Sequence, residues 1–210
     1  KVKVATLLGH FDSLGKDLVY LNVNDVITCG ADPVIFLDYI SIGELELHVI
    51  EPLIRGISWA CREVGCALIG GETAQSPGLY QGDNFDLAGT LVGVVEGDGI
   101  IDTSKVKVGD VVLGLPSSGI HTNGLSLVRK VFDIDNHPSV LFERYEDLGH
   151  TLGEELMIPH RCYYPMLRPH YSKMKAIAHI TGGGLIGKIP AVLPEGLAVT
   201  INPDNWNPLP

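Results

Sequence analysis

Helical and strand-like patterns alternate along the chain, and this alternation most limits the folds that it can adopt. Apolar residues recur at helical spacing in residues 12–29 and 47–64, and a glycine follows each segment. Apolar runs typical of buried strands occupy residues 33–40, 66–69 and 85–96. The sequence therefore predicts a mixed α/β fold.

A polar connector at residues 100–110 separates this part from a second part with a different order of elements. There the pattern predicts a strand, two helices, another strand and a last helix, at residues 111–115, 123–131, 161–167, 176–180 and 185–192. Glycine-rich loops follow both of the predicted strands. We therefore expect two domains, residues 1–99 and residues 100–210.

The composition excludes several classes of function. A formal net charge of −10 argues against a nucleic-acid partner, which requires clustered Lys and Arg. No apolar run reaches the roughly 18 residues of a membrane span, so no membrane partner is expected. The four cysteines lack the spacing of a zinc site and stand in apolar surroundings. They are expected to be reduced core residues of a cytoplasmic protein.

Asp25 stands where helical spacing predicts a buried apolar side chain. From Leu14, Leu18 and Leu21, the next step of four residues arrives at Asp25, and Asn24 adjoins it. An unpaired buried charge costs free energy. The carboxylate is therefore expected either to accept backbone hydrogen bonds or to bind Mg²⁺, which prefers oxygen ligands.

Two further acids accompany apolar strand patterns. Glu72 follows Gly70 and Gly71 at the predicted end of a strand, where sites of α/β proteins tend to lie. Asp86 lies in the run 85–96 and could complete an acidic cluster for a metal. The alternatives are a solvated turn residue for Glu72 and an edge residue for Asp86. Asp38 interrupts a strand in a similar way, and we expect a structural role for it.

Two loops have the composition of anion sites at helix starts. The first is SSGIHTNG at residues 117–124, and the second is HITGGG at residues 179–184. Backbone N–H groups in such loops can hold a negative charge. His121 and His179 stand in or beside them as candidate proton donors or oxyanion partners. Neither loop is a P-loop or a GxGxxG motif, and a single histidine is more often structural than catalytic.

Taken together, these segments resemble the aminoimidazole ribonucleotide synthetase family, also called phosphoribosylformylglycinamidine cyclo-ligases. The matching motifs follow in family order: GKDLV and VND in residues 15–25, FLDY at 36–39, GGETA at 70–74, FDLAG at 85–89, SSGIHTNG at 117–124 with SLVR at 126–129, and HITGGG at 179–184. Selenophosphate synthetase and thiamine-phosphate kinase share the VND and GGE elements. The two histidine-containing loops favour the cyclo-ligase.

The resemblance implies an N-terminal α+β domain that forms a β-barrel in a homodimer, followed by a C-terminal α/β domain. It also implies that ATP and a phosphorylated ribonucleotide bind between them, with ATP and Mg²⁺ as cofactors. ATP would phosphorylate the formyl oxygen of formylglycinamidine ribonucleotide, and the amidine nitrogen would then close the imidazole ring.

Transferred by position, the resemblance implies three sets of site residues. The catalytic residues are expected to be His121 and His179. The metal ligands are expected to be Asp25, Glu72 and Asp86. The cofactor-binding residues are expected to be Asn24, Asp25, Gly70, Gly71, Glu72, Ser118, Gly119, Asn123, Thr181, Gly182 and Gly183.

The sequence departs from the family pattern at both ends. The family places a glycine- and aspartate-rich loop of the type GTDGVGTK before the position of Lys1, and a further segment beyond Trp206. We therefore expect the chain to be a piece of a longer protein. The alternatives are another ATP-dependent member of the superfamily, such as a small-molecule kinase or a selenophosphate-synthetase-like enzyme, and a catalytically inactive dimerisation domain.

Overall fold

Helices cover one face of a three-stranded sheet in the first half of the chain. The computed structural model describes residues 1–82 and 84–207. The elements of this half are α1 (Val2–Leu8), α2 (Asp12–Val26), β1 (Asp32–Ile42), α3 (Leu47–Val64), β2 (Ala67–Gln75) and β3 (Phe85–Val94). All predicted elements of this half are present, and α1 is an addition. A 3₁₀ turn, Ile27–Cys29, extends α2 as far as the pattern indicates.

The central strand of the sheet is β1, which pairs in parallel with β2 and antiparallel with β3. Side chains alternate between the two faces of such a sheet. Phe36 and Ile40 point to the helices and are fully buried. Leu37 and Tyr39 point to the other face, which we call the outer face, and are exposed together with Val92 of β3. The sheet therefore has one covered and one open side.

Two glycines allow α2 and α3 to cross in backbone contact. A Cβ atom at Gly15 would lie 2.2 Å from the carbonyl oxygen of Leu53, and one at Gly56 would lie 2.4 Å from that of Asp12. Real Cβ contacts are not this short, so any side chain at either position forces the helices apart. This crossing fixes α2, which bears several of the site residues, against the rest of the core.

The second half consists of short elements and long connections. Its helices and strands are α4 (Leu125–Val131), β4 (Arg144–Tyr145), β5 (His150–Thr151), α5 (Leu152–Met157), α6 (Tyr164–Leu167) and α7 (Gly184–Lys188). Helix α5 begins with a capping box, in which Thr151 and Glu154 bond to each other's backbone N–H. The mixed α/β class predicted from the sequence is confirmed.

The strands predicted at residues 111–115 and 176–180 are wrong, since neither segment is a strand. A strand needs a neighbour for its backbone hydrogen bonds, and the described residues place none beside them. Val111 and Leu113 are instead 82% and 83% exposed. The helix predicted at 161–167 is reduced to α6, which a 3₁₀ turn at Arg168–Lys173 continues.

Both halves contribute to the two clusters of buried side chains. In the first, Val4 and Leu53 pack with Leu141 and Leu156, and in the second, Val19 packs in a group that includes Leu167. The division at residue 99 therefore stays a prediction. Residue 83 of the first predicted domain and residues 208–210 of the second lie outside the described residues.

Two remaining sequence expectations concern cysteines and membranes. Cys61 and Cys66 are buried as predicted and Cys162 is half-buried, whereas the core position predicted for Cys29 is wrong, since it is exposed. Burial raises the pKa of the Cys61 thiol to about 12. No helix in residues 1–82 or 84–207 combines the length and apolar character that a bilayer span requires.

Candidate active site

Three histidines from distant parts of the chain lie together at the junction of the two halves. The rings of His121 and His160 are stacked, with centroids 4.1 Å apart and planes at 29°. The ring of His179 meets that of His160 edge-on, with centroids 6.5 Å apart. The two histidines predicted as catalytic thus lie in one cluster with His160, for which no role was predicted.

His121 is held in a backbone conformation that side chains seldom adopt. Its φ of 61° lies in the left-handed region. Its Nε2 lies 3.1 Å from the backbone N–H of Ser118, which donates to it, and 2.8 Å from the Ser118 hydroxyl. The same hydroxyl donates to the carbonyl oxygen of Pro159 at 2.7 Å. Ser118, predicted to bind a cofactor, is therefore engaged in holding this loop.

Burial keeps His121 and His160 uncharged. It lowers the pKa of His121 to about 4, with a further contribution from the positive charge of Lys1. It lowers the pKa of His160 to about 3, with His121 as the next cause. Since Nε2 of a neutral His121 accepts a hydrogen bond, its proton is assigned to Nδ1. His121 can donate only through that atom.

Asp17 connects the cluster to α2. Its Oδ1 accepts a hydrogen bond from the backbone N–H of His160 at 2.7 Å, and its Oδ2 lies 2.9 Å from the ammonium of Lys1. Lys1 also donates to the carbonyl oxygen of Ile158 at 2.5 Å. Burial raises the pKa of the Asp17 carboxyl and lowers that of the Lys1 amine. The charge of Lys1 lowers the pKa of Asp17 and the charge of Asp17 raises that of Lys1, so each opposes the effect of burial on its partner. Their close contact is that of an ion pair.

The buried position predicted for Asp25 is wrong and belongs to Asp17 instead. Asp17 is 2% exposed, whereas the side chain of Asp25 is 63% exposed. Asp17 stands three residues after Leu14 and four before Leu21, so the same helical spacing could have identified it. Of the two roles expected for a buried acid on this helix, accepting backbone hydrogen bonds or binding Mg²⁺, Asp17 has the first, because its carboxylate accepts a backbone N–H.

Asp25 and Asn24 reach the C-terminal half in different ways. Oδ1 of Asp25 lies 2.7 Å from Nδ1 of His179. Asn24 is buried and clamps a backbone segment, since its amide donates to the carbonyl oxygen of Arg161 at 2.9 Å and accepts from the N–H of Tyr163 at 3.0 Å. The Asn24 side chain is thus used in joining the two halves.

The three acids predicted as metal ligands do not converge. Glu72 lies in the middle of β2 opposite Tyr39, not at a strand tip, because β2 runs on to Gln75. Asp86 lies on β3 opposite Ser41. Register partners share a face, so both acids lie on the outer face, on strands that flank β1 at about 10 Å from each other. Asp25 lies on the helix side.

The described part of the chain contains no group of three His, Cys, Asp or Glu side chains that could hold a metal. A site shared by Asp25, Glu72 and Asp86 therefore does not fit this arrangement. The metal role of each acid by itself stays a prediction.

The predicted glycines have different surroundings. A Cβ at Gly71 would lie 2.4 Å from Oδ1 of Asp38, so Gly71 allows β2 to approach β1, and burial raises the pKa of Asp38. Nothing lies within 4 Å of a Cβ at Gly70. One at Gly182 would meet Oδ1 of Asn123 at 3.5 Å, so the two glycine-rich loops are neighbours. Gly119, Thr181 and Gly183 lie in these loops, and their binding role stays a prediction.

A groove of about 380 Å³ opens beside His160 and Ser118. Lys16 of α2 and Arg161 line it, and the ammonium of Lys16 lies 4.1 Å above the ring centroid of Trp59. Glu63 lines it as well, and Lys16 covers the face of the Trp59 ring, so the groove holds two cationic side chains and one acidic side chain. The two cations offer positive charge to a ligand beside His160.

Comparison with known proteins assigns both halves to one family. The N-terminal domain of the AIR synthase related proteins matches residues 1–95, and the C-terminal domain of the same proteins matches residues 107–210. The chain is 46% identical over 212 residues to the phosphoribosylformylglycinamidine cyclo-ligase of Caldicellulosiruptor saccharolyticus and 49% identical over 212 residues to that of Acetivibrio thermocellus. Both alignments cover 100% of the chain and 62% of the relative.

Among solved structures, hydrogenase maturation protein HypE in complex with ATP is 26% identical, with a TM-score of 0.43 over 50% of this chain and 31% of that one. An overlap of this size does not bear on function. The two cyclo-ligases are longer than the chain, which spans 62% of their length. On the two domain matches and these identities, the chain belongs to the AIR synthase related protein family.

Proposed function

We propose that the complete protein is an ATP-dependent phosphoribosylformylglycinamidine cyclo-ligase of purine biosynthesis. The carrying observation is the 46% and 49% identity, over the whole chain, to two proteins of that name. In this reaction ATP phosphorylates the formyl oxygen of formylglycinamidine ribonucleotide. The amidine nitrogen attacks the activated carbon, phosphate leaves, and aminoimidazole ribonucleotide, ADP and phosphate are released.

The histidine cluster supplies two complementary groups for this chemistry. His179 is bonded to Asp25 through Nδ1, so its Nε2 is available to accept the proton that the amidine nitrogen loses. His121 has Nε2 engaged with Ser118 and carries its proton on Nδ1. It can donate a hydrogen bond to the formyl oxygen as the carbon–oxygen bond breaks and this oxygen leaves with the phosphate, carrying negative charge. An acceptor and a donor held close together suit ring closure.

The phosphate groups of both substrates require positive charges or N–H donors close to them. The protein as a whole does not attract anions, because its net charge is −10. Lys16 and Arg161 of the groove and the backbone N–H groups of the two loops at 117–124 and 179–184 offer them locally. Mg²⁺ would neutralise phosphate charge in the complete enzyme.

We also propose that the complete protein is a homodimer that pairs through the outer face of the sheet. Leu37, Tyr39, Val92 and Val94 leave apolar surface exposed there. An exposed apolar face of this kind marks an interaction site, and homodimers pair identical patches across a two-fold axis. Pairing of two such sheets gives the barrel that the family resemblance implies. A cytoplasmic location accords with the reduced cysteines.

The test is a coupled assay of ADP release by the complete protein, with and without formylglycinamidine ribonucleotide, together with chromatographic detection of aminoimidazole ribonucleotide. ADP and the aminoimidazole product should appear in equal amounts. A stable phosphorylated product would instead indicate a small-molecule kinase. Absence of nucleotide binding would indicate a dimerisation domain and reject the proposal.

A further inference from the structure

We propose that His160 is a positioning residue, which holds His121 in the geometry that ring closure requires. The inference rests on the proposed function, in which His121 donates to the formyl oxygen. His160 lines the groove but is only 3% exposed, and its ring stacks on that of His121, so we assign it a role exerted through this neighbour.

Three contacts fix His160. Its backbone N–H donates to Asp17 of α2, its Nε2 lies 2.8 Å from the hydroxyl of Thr122, and its ring stacks on His121. Asp17 in turn is paired with Lys1. His160 is thus anchored to the helical layer on one side and contacts two consecutive loop residues, 121 and 122, on the other.

The loop needs such support. A residue other than glycine with a φ of 61° is in a conformation that persists only where its surroundings enforce it. The backbone N–H of Ser118 holds one edge of the His121 ring, and the stack with His160 holds its face. Without the stack, the ring can rotate and carry Nδ1 away from the substrate.

A second observation indicates that His160 does more than fill space in the core. Nδ1 of His160 is buried and has no hydrogen-bond partner among the described residues. A buried unpaired nitrogen lowers stability, and an apolar ring of similar shape avoids that cost. A histidine at this position is thus a poor choice for stability alone. Its Nε2 contact with Thr122 is what an apolar ring could not make.

The experiment compares His160→Ala and His160→Phe with the wild type in the complete protein, and uses exposed His170→Ala as a control. In His160→Ala, we expect kcat to fall by about 10- to 100-fold, as for a misplaced catalytic group, with KM changed less than about 3-fold. His160→Phe keeps the stack but not the bond to Thr122. We expect it to fold at least as stably as the wild type and to have an intermediate kcat.

Imidazole NMR of His121 provides a readout that does not depend on activity. The charged and titratable groups around the two rings are Lys1, Asp17, Arg161 and His179. All four remain in the variants, so a change in His121 reports the loss of the stack. In His160→Ala the His121 resonances should broaden or split, and its pKa should rise towards 6.5.

A wild-type kcat and an unchanged His121 spectrum in His160→Ala would overturn the proposal. If His160→Ala does not fold, His160→Phe decides, and a wild-type kcat in it would reject the role of the Thr122 contact. If the wild type itself forms no aminoimidazole product, the proposed function fails, and the His121 spectra still test the positioning.

Discussion

At the scale of single residues, the contact between Asp25 and His179 makes a clear prediction for Asp25→Asn. The variant keeps the size of the side chain and removes the charge that orients His179. We expect turnover of the complete enzyme to fall by about 10²-fold or more, the size typical of a disturbed general base. Calorimetric titration should show unchanged nucleotide binding. The opposite result, weaker Mg²⁺-dependent binding with normal turnover, would restore Asp25 as a metal ligand.

Replacing His121 tests the donor itself. His121→Ala in the complete enzyme should fold and bind ATP but lose about 100-fold or more in turnover, as when one donor to a developing oxyanion is removed. A structural His121 would instead lower thermal stability and affect binding and turnover together. Near-normal turnover would leave its loop as a phosphate-binding element only.

The two neutral histidines also predict how stability depends on pH. Burial lowers the pKa of His121 to about 4 and that of His160 to about 3, whereas both return to 6.5 on unfolding. Below pH 6.5 the unfolded chain therefore binds more protons, and the free energy of unfolding falls as the pH falls towards 4.

Thermal denaturation at pH 7.5, 6.0 and 5.0 measures this effect in the complete protein. His160→Phe should show a smaller decrease in Tm over that range than the wild type. Equal pH dependence in His160→Phe and the wild type would contradict the assignment of a lowered pKa to His160.

At the scale of elements, the crossing of α2 and α3 at two glycines predicts an intolerance to small side chains. Gly56→Ala should destabilise the protein by about 1–3 kcal/mol, as overpacking does, because its Cβ meets the backbone of Asp12. Gly187→Ala in α7 is a matched control, since nothing lies within 4 Å of its Cβ. Chemical denaturation compares the two, and equal stabilities would show that the helices separate without cost.

The elements that the sequence predicted correctly are those stabilised by their own pattern. Helix α3 has the predicted bounds of Leu47–Val64 because its apolar stripe and terminal glycine are local signals. The runs at 111–115 and 176–180 have apolar residues but no adjacent strand among the described residues. Whether a segment finds a strand to pair with depends on the rest of the fold, so its own residues do not predict it. The helical spacing of α2 could have predicted the buried position of Asp17. No local pattern predicts the site position of His160, because its contacts are with residues far away in sequence.

At the scale of the whole molecule, the outer face of the sheet predicts the oligomeric state. A charge at Val92, as in Val92→Glu, should disrupt pairing through this face and give a monomer in sedimentation at micromolar concentration, because an unpaired charge is costly to bury. Val108→Glu is the control, since Val108 is 90% exposed and lies outside the sheet. A monomeric wild type, or a dimeric Val92→Glu, would contradict the proposed interface.

The hydrogen bond from His160 to Asp17 spans 143 positions of sequence, and the contact of His179 with Asp25 spans 154. Contacts that close such long loops are entropically costly and form slowly. The histidine cluster is therefore among the last parts to assemble during folding, after the first half has been synthesised and formed its sheet. The amide proton of His160 should exchange with solvent only when its bond to Asp17 opens, so catalytic competence and completion of folding are acquired in the same step.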